Sequence, residues 1–155
     1  MTSSSSSSAS SGPAIERLER KYQNPKKVPE EEWKKVLPEE TFNVTRKFGT
    51  EPAYTGEYDK HFKPGKYNCV CCGAELFISE SKYNSGCGWP AFSSSIEDDK
   101  NIIRIHDNSY GMERTEVRCR QCDAHLGHVF DDGLHETGER YCINSVSLNF
   151  VPKKS

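Results

Sequence analysis

Seven cysteines carry most of the chemistry that this sequence of 155 residues can offer. Four of them stand in two C-x-x-C pairs, Cys69 with Cys72 and Cys119 with Cys122. A three-residue step lets both thiolates of a pair converge on one ion, and two pairs supply the four sulfurs of a tetrahedral zinc site. We therefore predict one structural Zn²⁺ ion bound by these four cysteines, with no coordination position left open for catalysis.

The two pairs are much farther apart along the chain than in a compact zinc finger. The ion would then tie distant hairpins together and stabilise the fold through metal binding and the closure of a long loop. The alternative is a redox-active thiol pair, but bound zinc would hold these thiols. Cys71 lies within the first pair at a spacing that does not fit the zinc ligands, so we interpret it as a small packed hydrophobe.

Cys87 lies in the segment SGCGWPAF, residues 85–92, between two glycines and ahead of Trp89 and Pro90. Glycines on both sides allow backbone conformations that a side chain forbids, and Pro90 stiffens the chain that follows. The pattern fits a thiol on a mobile turn beside a flat indole. It fits equally well a tight turn with a buried cysteine and a tryptophan that belongs to the core.

Cys142 lies in the segment ERYCINSVSLNF, which has the composition and alternation of a β-strand. We predict that Arg140, Cys142 and Asn144 share one face of this strand. Arg140 would favour the thiolate of Cys142, the reactive form, so this cysteine is a candidate nucleophile. A half-buried cysteine in an ordinary strand is the alternative. The side chains predicted to continue the same face inward are Val146, Leu148 and Phe150.

The segment HLGHVF, residues 125–130, supplies two histidines. Strand alternation predicts that Leu126, His128 and Phe130 share a face. The His128 side chain could point from this face into a cleft. A histidine can donate or relay a proton near neutral pH, so His128 is a candidate acid. His125 is a candidate contact to the substrate. Either ring could instead be a structural group.

The predicted secondary structure that must position these residues changes along the chain from helices to strands. Two short helices are predicted early, the first in PEEEWKKVL with Pro29 at its first position. The second runs from Pro38 to about Phe48 and is closed by Gly49. From Tyr67 onward, short β-forming runs alternate with turn signals. We predict a mainly β fold with antiparallel sheets and the short N-terminal helices packed at one side.

Composition limits the classes of function. Lys and Arg number 21 against 23 Asp and Glu, so a formal net charge of −2 gives no support for binding nucleic acid. No apolar run approaches the roughly 20 residues of a membrane span. The length suits a single domain with one modest core, and we expect a monomer.

The first 12 residues contain eight serines and no charge, which is typical of a disordered segment. We predict a disordered tail over residues 1–25 and one folded domain over residues 26–155. The serines also suit an organelle transit peptide, but the first basic residue, Arg17, lies beside an acidic one. Because the cysteine count is odd and no apolar signal segment is present, we expect a cytoplasmic protein with thiol or metal chemistry.

Four motifs, in this order along the chain, resemble those of the methionine sulfoxide reductase B family. They are CxxCG with LF after it (69–77), SGCGWPAF (85–92), GMERTEVRCRQCDAHLGHVF (111–130) and RYCINS (140–145). Ala91 stands where the family commonly has Ser, which changes no proposed catalytic group. The resemblance implies a tent-like fold of two antiparallel β-sheets, with zinc bound at an edge away from the active site. Residues 26–155 would then be the reductase domain.

The resemblance also implies a reaction. The substrate would be methionine-R-sulfoxide, free or within oxidised proteins, with thioredoxin as the usual reductant. Cys142 would attack the sulfoxide sulfur and become a sulfenic acid, and Cys87 would then close a Cys87–Cys142 disulfide. Trp89 would hold the S-methyl group against its indole. His128 and Asn144 would hydrogen-bond the sulfoxide oxygen, which must be protonated as it leaves.

The rival interpretation, from another class, is a non-catalytic zinc-binding interaction module of related β fold. Such a module needs only the four zinc ligands. It explains neither Cys142 beside Arg140 and Asn144, nor Cys87 beside Trp89, and the sequence therefore favours the enzyme.

Overall fold

The computed structural model describes residues 13–18, 22–59, 61–108, 111, 113–133 and 138–153. Two helices precede the sheets, α1 (Glu30–Val36) and α2 (Glu39–Lys47). Within the described residues the strands are β1 (Gly65–Cys69), β2 (Glu75–Ile78), β3 (Lys82–Tyr83), β4 (Ala91–Phe92), β5 (Ile102–Asp107), β6 (Arg114–Cys119), β7 (His125–Phe130), β8 (Arg140–Ile143) and β9 (Leu148–Pro152). Short 3-10 turns lie at Ala14–Arg17, Pro25–Lys27, Ser79–Ser81 and Ser145–Ser147.

These strands form two sheets. The small sheet has the order β9-β1-β2, and the large sheet has the order β3-β4-β8-β7-β6-β5. Every neighbouring pair in both sheets is antiparallel. The prediction of a mainly β fold with two antiparallel sheets and short N-terminal helices is confirmed.

Buried aromatic rings join the two sheets. Phe77 of the small sheet stacks on Phe92 of the large sheet with ring centroids 4.2 Å apart, and Tyr67 meets Phe92 edge-on at 5.2 Å. Tyr141 of β8 packs against Phe77 at 5.4 Å. Because alternate residues of a strand point to opposite faces, the burial of Tyr141 turns its neighbour Cys142 to the outer face of the large sheet.

The predicted strand through ERYCINSVSLNF is interrupted. A 3-10 turn follows β8, and the chain then enters β9 of the small sheet. Asn144 fixes this break, because its Nδ2 donates to the Leu126 carbonyl and its Oδ1 accepts from the Glu51 N–H, both at 2.9 Å. The strand period therefore stops at this residue. The side chains wrongly predicted to continue the outer face of β8 are Val146, Leu148 and Phe150.

Both helices lie close to their predicted bounds. Pro29 precedes α1 as its cap, and Trp33 on this helix is fully buried. The end of α2 differs from the prediction, because Phe48 and not Gly49 takes the left-handed conformation, with φ 62° and ψ 33°. Arg118 packs 4.6 Å from the centroid of the Phe48 ring, a contact that a glycine could not make. In the part of the chain that the structure describes, no helix is long and apolar enough to cross a membrane.

The predicted disordered tail, residues 1–25, is wrong for the part that the structure describes. Ala14 is fully buried, and its N–H donates to the Val70 carbonyl at 2.8 Å. The next amide donates to the carbonyl of Cys71, also at 2.8 Å. The segment finds these acceptors in the first C-x-x-C turn, a partner that composition cannot predict. The serine-rich residues 1–12 lie outside the described residues.

Candidate active site and metal centre

The sulfur atoms of the two C-x-x-C pairs converge, as predicted, and all lie within 4.8 Å of one another. Cys69 Sγ and Cys122 Sγ are 3.6 Å apart, and Cys72 Sγ and Cys119 Sγ are 3.5 Å apart. A tetrahedral ion with zinc–sulfur bonds of about 2.3 Å separates its sulfurs by about 3.8 Å. Four thiols at this spacing therefore fit a tetrahedral thiolate-bound metal ion.

Each pair forms the same tight turn at the end of a strand. The amide of its first cysteine donates to a carbonyl five residues on, Cys69 to Ala74 at 2.8 Å and Cys119 to Ala124 at 2.9 Å. Cys69 ends β1 of the small sheet, whereas Cys119 ends β6 of the large sheet. A bound ion would therefore hold the two sheets together. Cys71 is fully buried beside this centre, in agreement with its interpretation as a packed residue.

A cleft of about 310 Å³ opens at the other end of β6 from the metal centre. Its walls come from β7, β8, the SGCGWPAF turn and the chain just before Glu51. Six of the predicted site residues line this cleft: Cys87, Trp89, His128, Arg140, Cys142 and Asn144. The structure thus brings together residues that the sequence separates by up to 57 positions.

Two thiols meet at the floor of the cleft. Cys142 Sγ lies 3.1 Å from Cys87 Sγ, and Arg140 Nη1 lies 2.6 Å from Cys142 Sγ. Asp132 holds the guanidinium in place by accepting from Nε at 2.8 Å and from Nη2 at 3.0 Å. A paired guanidinium in a fixed orientation is suited to stabilise a thiolate at this position.

The two sulfurs titrate as one unit. The hydrogen bond between them lowers the pKa of Cys87 to about 5 and raises the pKa of Cys142, which burial raises further. At neutral pH the pair therefore holds one negative charge and one proton. These directions place the charge on Cys87 and the proton on Cys142 in the resting pair. Arg140 lowers the pKa of both thiols and contacts Cys142 directly, so it can stabilise a thiolate on Cys142 when the proton moves to Cys87.

His128 lies next to this pair. It stands directly opposite Cys142 in the pairing of β7 with β8, so both side chains share one face of the sheet. Its Nε2 lies 2.8 Å from Asp107 Oδ2. Burial lowers the pKa of His128, and Arg114 and His125 act in the same direction, while the hydrogen bond to Asp107 opposes them.

His125 does not line the cleft, contrary to the prediction that it contacts the substrate. It is 3% exposed, and its Nδ1 lies 2.7 Å from Glu116 Oε2. Burial raises the pKa of Glu116, but hydrogen bonds from His125 and Arg118 outweigh it and lower that pKa to about 2. The rings of His125 and His128 meet edge-on with their centroids 5.7 Å apart, so the buried His125 packs against His128.

A bulge in β7 explains why the predicted alternation fails there. Val117 pairs with Gly127 while Arg118 pairs with His125, so Leu126 has no opposite residue on β6. Leu126 is fully buried, whereas His128 and Phe130 face the cleft. The bulge therefore separates Leu126 from the face that the sequence assigned to it.

Asn144 and Trp89 are both anchored by Glu51. The Trp89 Nε1–H donates to the Glu51 carbonyl at 3.0 Å, and the Glu51 N–H donates to Asn144 Oδ1. The buried Glu51 carboxylate accepts from the Val146 N–H at 3.0 Å, and burial raises its pKa. Asn144 is only 3% exposed, and both of its side-chain polar atoms already make hydrogen bonds within the protein. It therefore stabilises the wall of the cleft and does not present a free amide to a substrate.

Sequence reasoning missed three residues that shape this site: Asp107, Arg114 and Glu51. Arg114 lies within the 111–130 motif, and its partner is Asp107 on the neighbouring strand. Asp107 and Glu51 belong to no local motif, and each acts on a partner far along the chain. Glu51 and Asn144, for example, are 93 residues apart. Phe130 could have been found, because alternation places it beside His128, and the Arg140 guanidinium lies 4.6 Å from its ring centroid.

Adjacent thiols beside a guanidinium in an open cleft, separate from a four-thiol cluster, are typical of thiol-dependent oxidoreductases. The model of the SelR domain family matches residues 37–152 of the chain. The chain belongs to this family, that of the B-type methionine sulfoxide reductases, and the predicted family resemblance and enzyme class are confirmed.

Three relatives illustrate the similarity. The probable methionine-R-sulfoxide reductase B of Caenorhabditis elegans is 60% identical over 131 residues, which cover 84% of this chain and 86% of the relative. The peptide methionine sulfoxide reductase MsrB of Pseudomonas putida (strain W619) is 54% identical over 123 residues, covering 79% and 92%. That of Synechococcus sp. (strain RCC307) is 48% identical over 136 residues, covering 88% and 99%.

The metal centre leads to a first prediction. Cys119→Ser removes one of four sulfur ligands and should lose both bound metal and thermal stability, because metal binding and folding are coupled. Metal per chain measured by plasma mass spectrometry, together with the melting temperature, checks this. Cys71→Ser changes a neighbouring thiol outside the ligand set and should retain one ion per chain. Unchanged metal content in Cys119→Ser would contradict the assignment.

Proposed function

We propose that the protein reduces methionine-R-sulfoxide, free or in oxidised proteins, to methionine. Cys142 takes the oxygen as a sulfenic acid, a Cys87–Cys142 disulfide follows, and thioredoxin reduces that disulfide. The observation that carries the proposal is the 3.1 Å separation of the two sulfurs within the cleft, with Arg140 at 2.6 Å from Cys142. The relatives named as methionine sulfoxide reductases support the same substrate.

The first step transfers one oxygen atom. The Cys142 thiolate bonds to the sulfoxide sulfur and the oxygen takes a proton. The resulting hydroxyl passes to the Cys142 sulfur, the bond between the two sulfurs breaks, and methionine leaves as Cys142 becomes a sulfenic acid. The substrate sulfur gains two electrons and the Cys142 sulfur loses two. Arg140 stabilises the thiolate before attack, and His128, opposite Cys142 on the next strand, is the group that supplies the proton.

The second step closes a disulfide. Cys87 attacks the sulfenic sulfur of Cys142, and the oxygen leaves as water. The sulfurs must approach from 3.1 Å to the ~2.05 Å of a bond, which a small movement of the SGCGWPAF turn supplies. Gly86 and Gly88 both have positive φ, and space is open around Gly86, so this turn can make that movement.

The walls of the cleft suit a thioether methyl group. Trp89 lines the cleft, and its N–H is engaged by the Glu51 carbonyl, so its indole can offer the substrate an apolar contact. Phe130 lies on the same lining, below the Arg140 guanidinium. Polarisable sulfur and its methyl group are attracted to aromatic faces, so these rings would orient the sulfoxide with its oxygen toward His128.

The cysteines of the two C-x-x-C pairs would hold one Zn²⁺ ion, which would supply a structural link and no open coordination position. A monomer is part of the proposal. We propose a reductase domain over residues 26–155, extended by the packed segment before it. A cytoplasmic location is part of the proposal, because the reaction needs reduced thiols.

Single turnover without external reductant tests the reaction itself. The protein mixed with separated sulfoxide epimers should yield about one methionine per chain from the R epimer and lose two titratable thiols. Cys142→Ser should yield none, since the nucleophile is absent. A non-catalytic metal module would form no methionine and lose no thiols, and either result with the wild-type chain would refute the proposal.

Recycling leads to a separate prediction. Cys87→Ser should still form about one equivalent of methionine, because Cys142 performs the chemistry, but should lose turnover supported by thioredoxin. Cys71→Ser should keep that turnover, since its thiol is buried next to the metal centre. The assay is methionine formed per chain, with and without thioredoxin and its reductase. Full turnover in Cys87→Ser would mean that another thiol reacts with the sulfenic acid.

Trp89 and His128, which both line the cleft, should affect different steps of the reaction. Trp89→Ala should chiefly weaken substrate binding, because an aromatic face is lost, and Trp89→Phe should restore most of it. His128→Ala should slow sulfenic-acid formation by roughly 10²-fold or more, the usual scale for acid–base assistance. Single-turnover rates over a range of substrate concentrations separate binding from chemistry. An unchanged chemical step in His128→Ala would remove that ring from the mechanism.

A further inference from the structure

Asp107 reaches His128 from two strands away. Asp107 is the last residue of β5, and β6 lies between it and β7, which carries His128. Its Oδ2 nevertheless lies 2.8 Å from His128 Nε2, and Arg114 Nη2 lies 3.4 Å from the same oxygen. The imidazole is thus held between a carboxylate on one side and the Cys142 strand on the other.

This contact decides which ring nitrogen carries the proton. An ionised carboxylate only accepts hydrogen bonds, so the proton of a neutral His128 lies on Nε2. Nδ1 is then the remaining nitrogen for a substrate in the cleft, and in the neutral ring it is an acceptor. It can donate to a sulfoxide oxygen only when the ring is an imidazolium.

We propose that Asp107 is a positioning residue that fixes the tautomer of His128 and stabilises the imidazolium whose Nδ1–H protonates the departing oxygen. The inference rests on the proposed function, since the sulfoxide provides that oxygen. In the step, the proton passes from Nδ1 to oxygen, the hydroxyl passes to the Cys142 sulfur, and methionine leaves. The thiolate and the imidazolium lose their opposite charges together, and His128 remains neutral with its proton on Nε2.

The charged groups around the ring come from every neighbouring strand. Asp107 on β5 and the thiolate of the cysteine pair favour the imidazolium. Arg114 on β6, with Arg140 on β8, opposes it. The remaining titratable neighbours are Glu116, which stands opposite His128 on β6 but is engaged by Arg118, and His125 on the same strand. Burial, Arg114 and His125 keep the pKa of His128 below its usual value, so the charge contributed by Asp107 matters.

The decisive experiment compares the pH dependence of single turnover in the wild type and in Asp107→Ala. Removing the carboxylate lowers the pKa of the ring, so less imidazolium is present at high pH. The rate ratio should be about tenfold or more near pH 8.5, the scale expected from loss of one close opposite charge, and should fall toward one only as the pH drops below the pKa of the ring in the variant. Thiolate ionisation affects both proteins and cancels in the ratio. Asp107→Glu should regain part of the rate at high pH.

Two controls separate positioning from general damage. Glu113→Gln removes a nearby carboxylate with an 84% exposed side chain that lies outside the cleft, and should keep the wild-type profile. In a His128→Ala background, Asp107→Ala should cause no further loss that depends on pH. A rate ratio that is the same at every pH would overturn the inference while leaving the proposed function intact. Absence of methionine from the wild-type protein would instead overturn the proposed function.

A spectroscopic measurement on the wild type does not depend on any variant folding. Long-range ¹H–¹⁵N correlation of the histidine rings should find the neutral His128 protonated on Nε2. Where Asp107→Ala folds, the same spectra should titrate at lower pH than in the wild type. A neutral ring protonated on Nδ1, or an unchanged titration in the variant, would overturn the assignment.

Discussion

The pairing of β8 with strands on both sides is the constraint on which the cleft depends. Cys142 stands opposite His128 on β7 and opposite Ala91 on β4, the strand that follows the Cys87 turn. Residues directly opposite each other in antiparallel strands have Cα atoms about 4.5–5.5 Å apart, so the ladder sets these separations. Gly127 permits the close approach, because a Cβ there would overlap the Cys142 carbonyl oxygen. In the proposed reaction, the nucleophile Cys142 and the proton donor His128 are therefore held by paired strands, whereas Cys87 lies on a glycine-containing turn.

The small sheet fixes the position of that rigid strand. Stacked rings across the core hold Tyr141 inward and so keep Cys142 outward. The bonds of Asn144 then divert the chain into the small sheet, and the four-cysteine centre joins the same two sheets at the far end of β6. A metal ion bound there would add one more link between the sheets. Such an ion would act on the cleft only through this geometry, since the four cysteines lie at the opposite end of β6 from the cleft.

How much of this structure can be predicted from the sequence depends on how far apart along the chain the interacting residues lie. The C-x-x-C spacing predicted the four-sulfur cluster because each turn is local, and alternation placed Arg140 beside Cys142 for the same reason. Alternation failed at Asn144, whose side-chain partners outcompete the strand. The bulge at Leu126 and the contact between Asp107 and His128 arise from register between distant strands, which no local pattern specifies. Burial of Ala14 was missed on the same grounds, since its acceptor lies in the first metal turn.

The charges of the cleft nearly cancel, and this balance suits the reaction. Asp132 pairs with Arg140, and Asp107 lies between Arg114 and His128, so each carboxylate already faces a cation. What remains is the single negative charge of the thiol pair and, during reaction, the positive charge of an imidazolium. Opposite charges in a partly buried site are costly to desolvate, and the oxygen transfer removes both at once. A neutral, dipolar sulfoxide can enter such a cleft without adding charge, whereas an anionic or cationic ligand would upset the balance. The same arrangement that makes the thiolate reactive therefore favours the substrate class that the family implies.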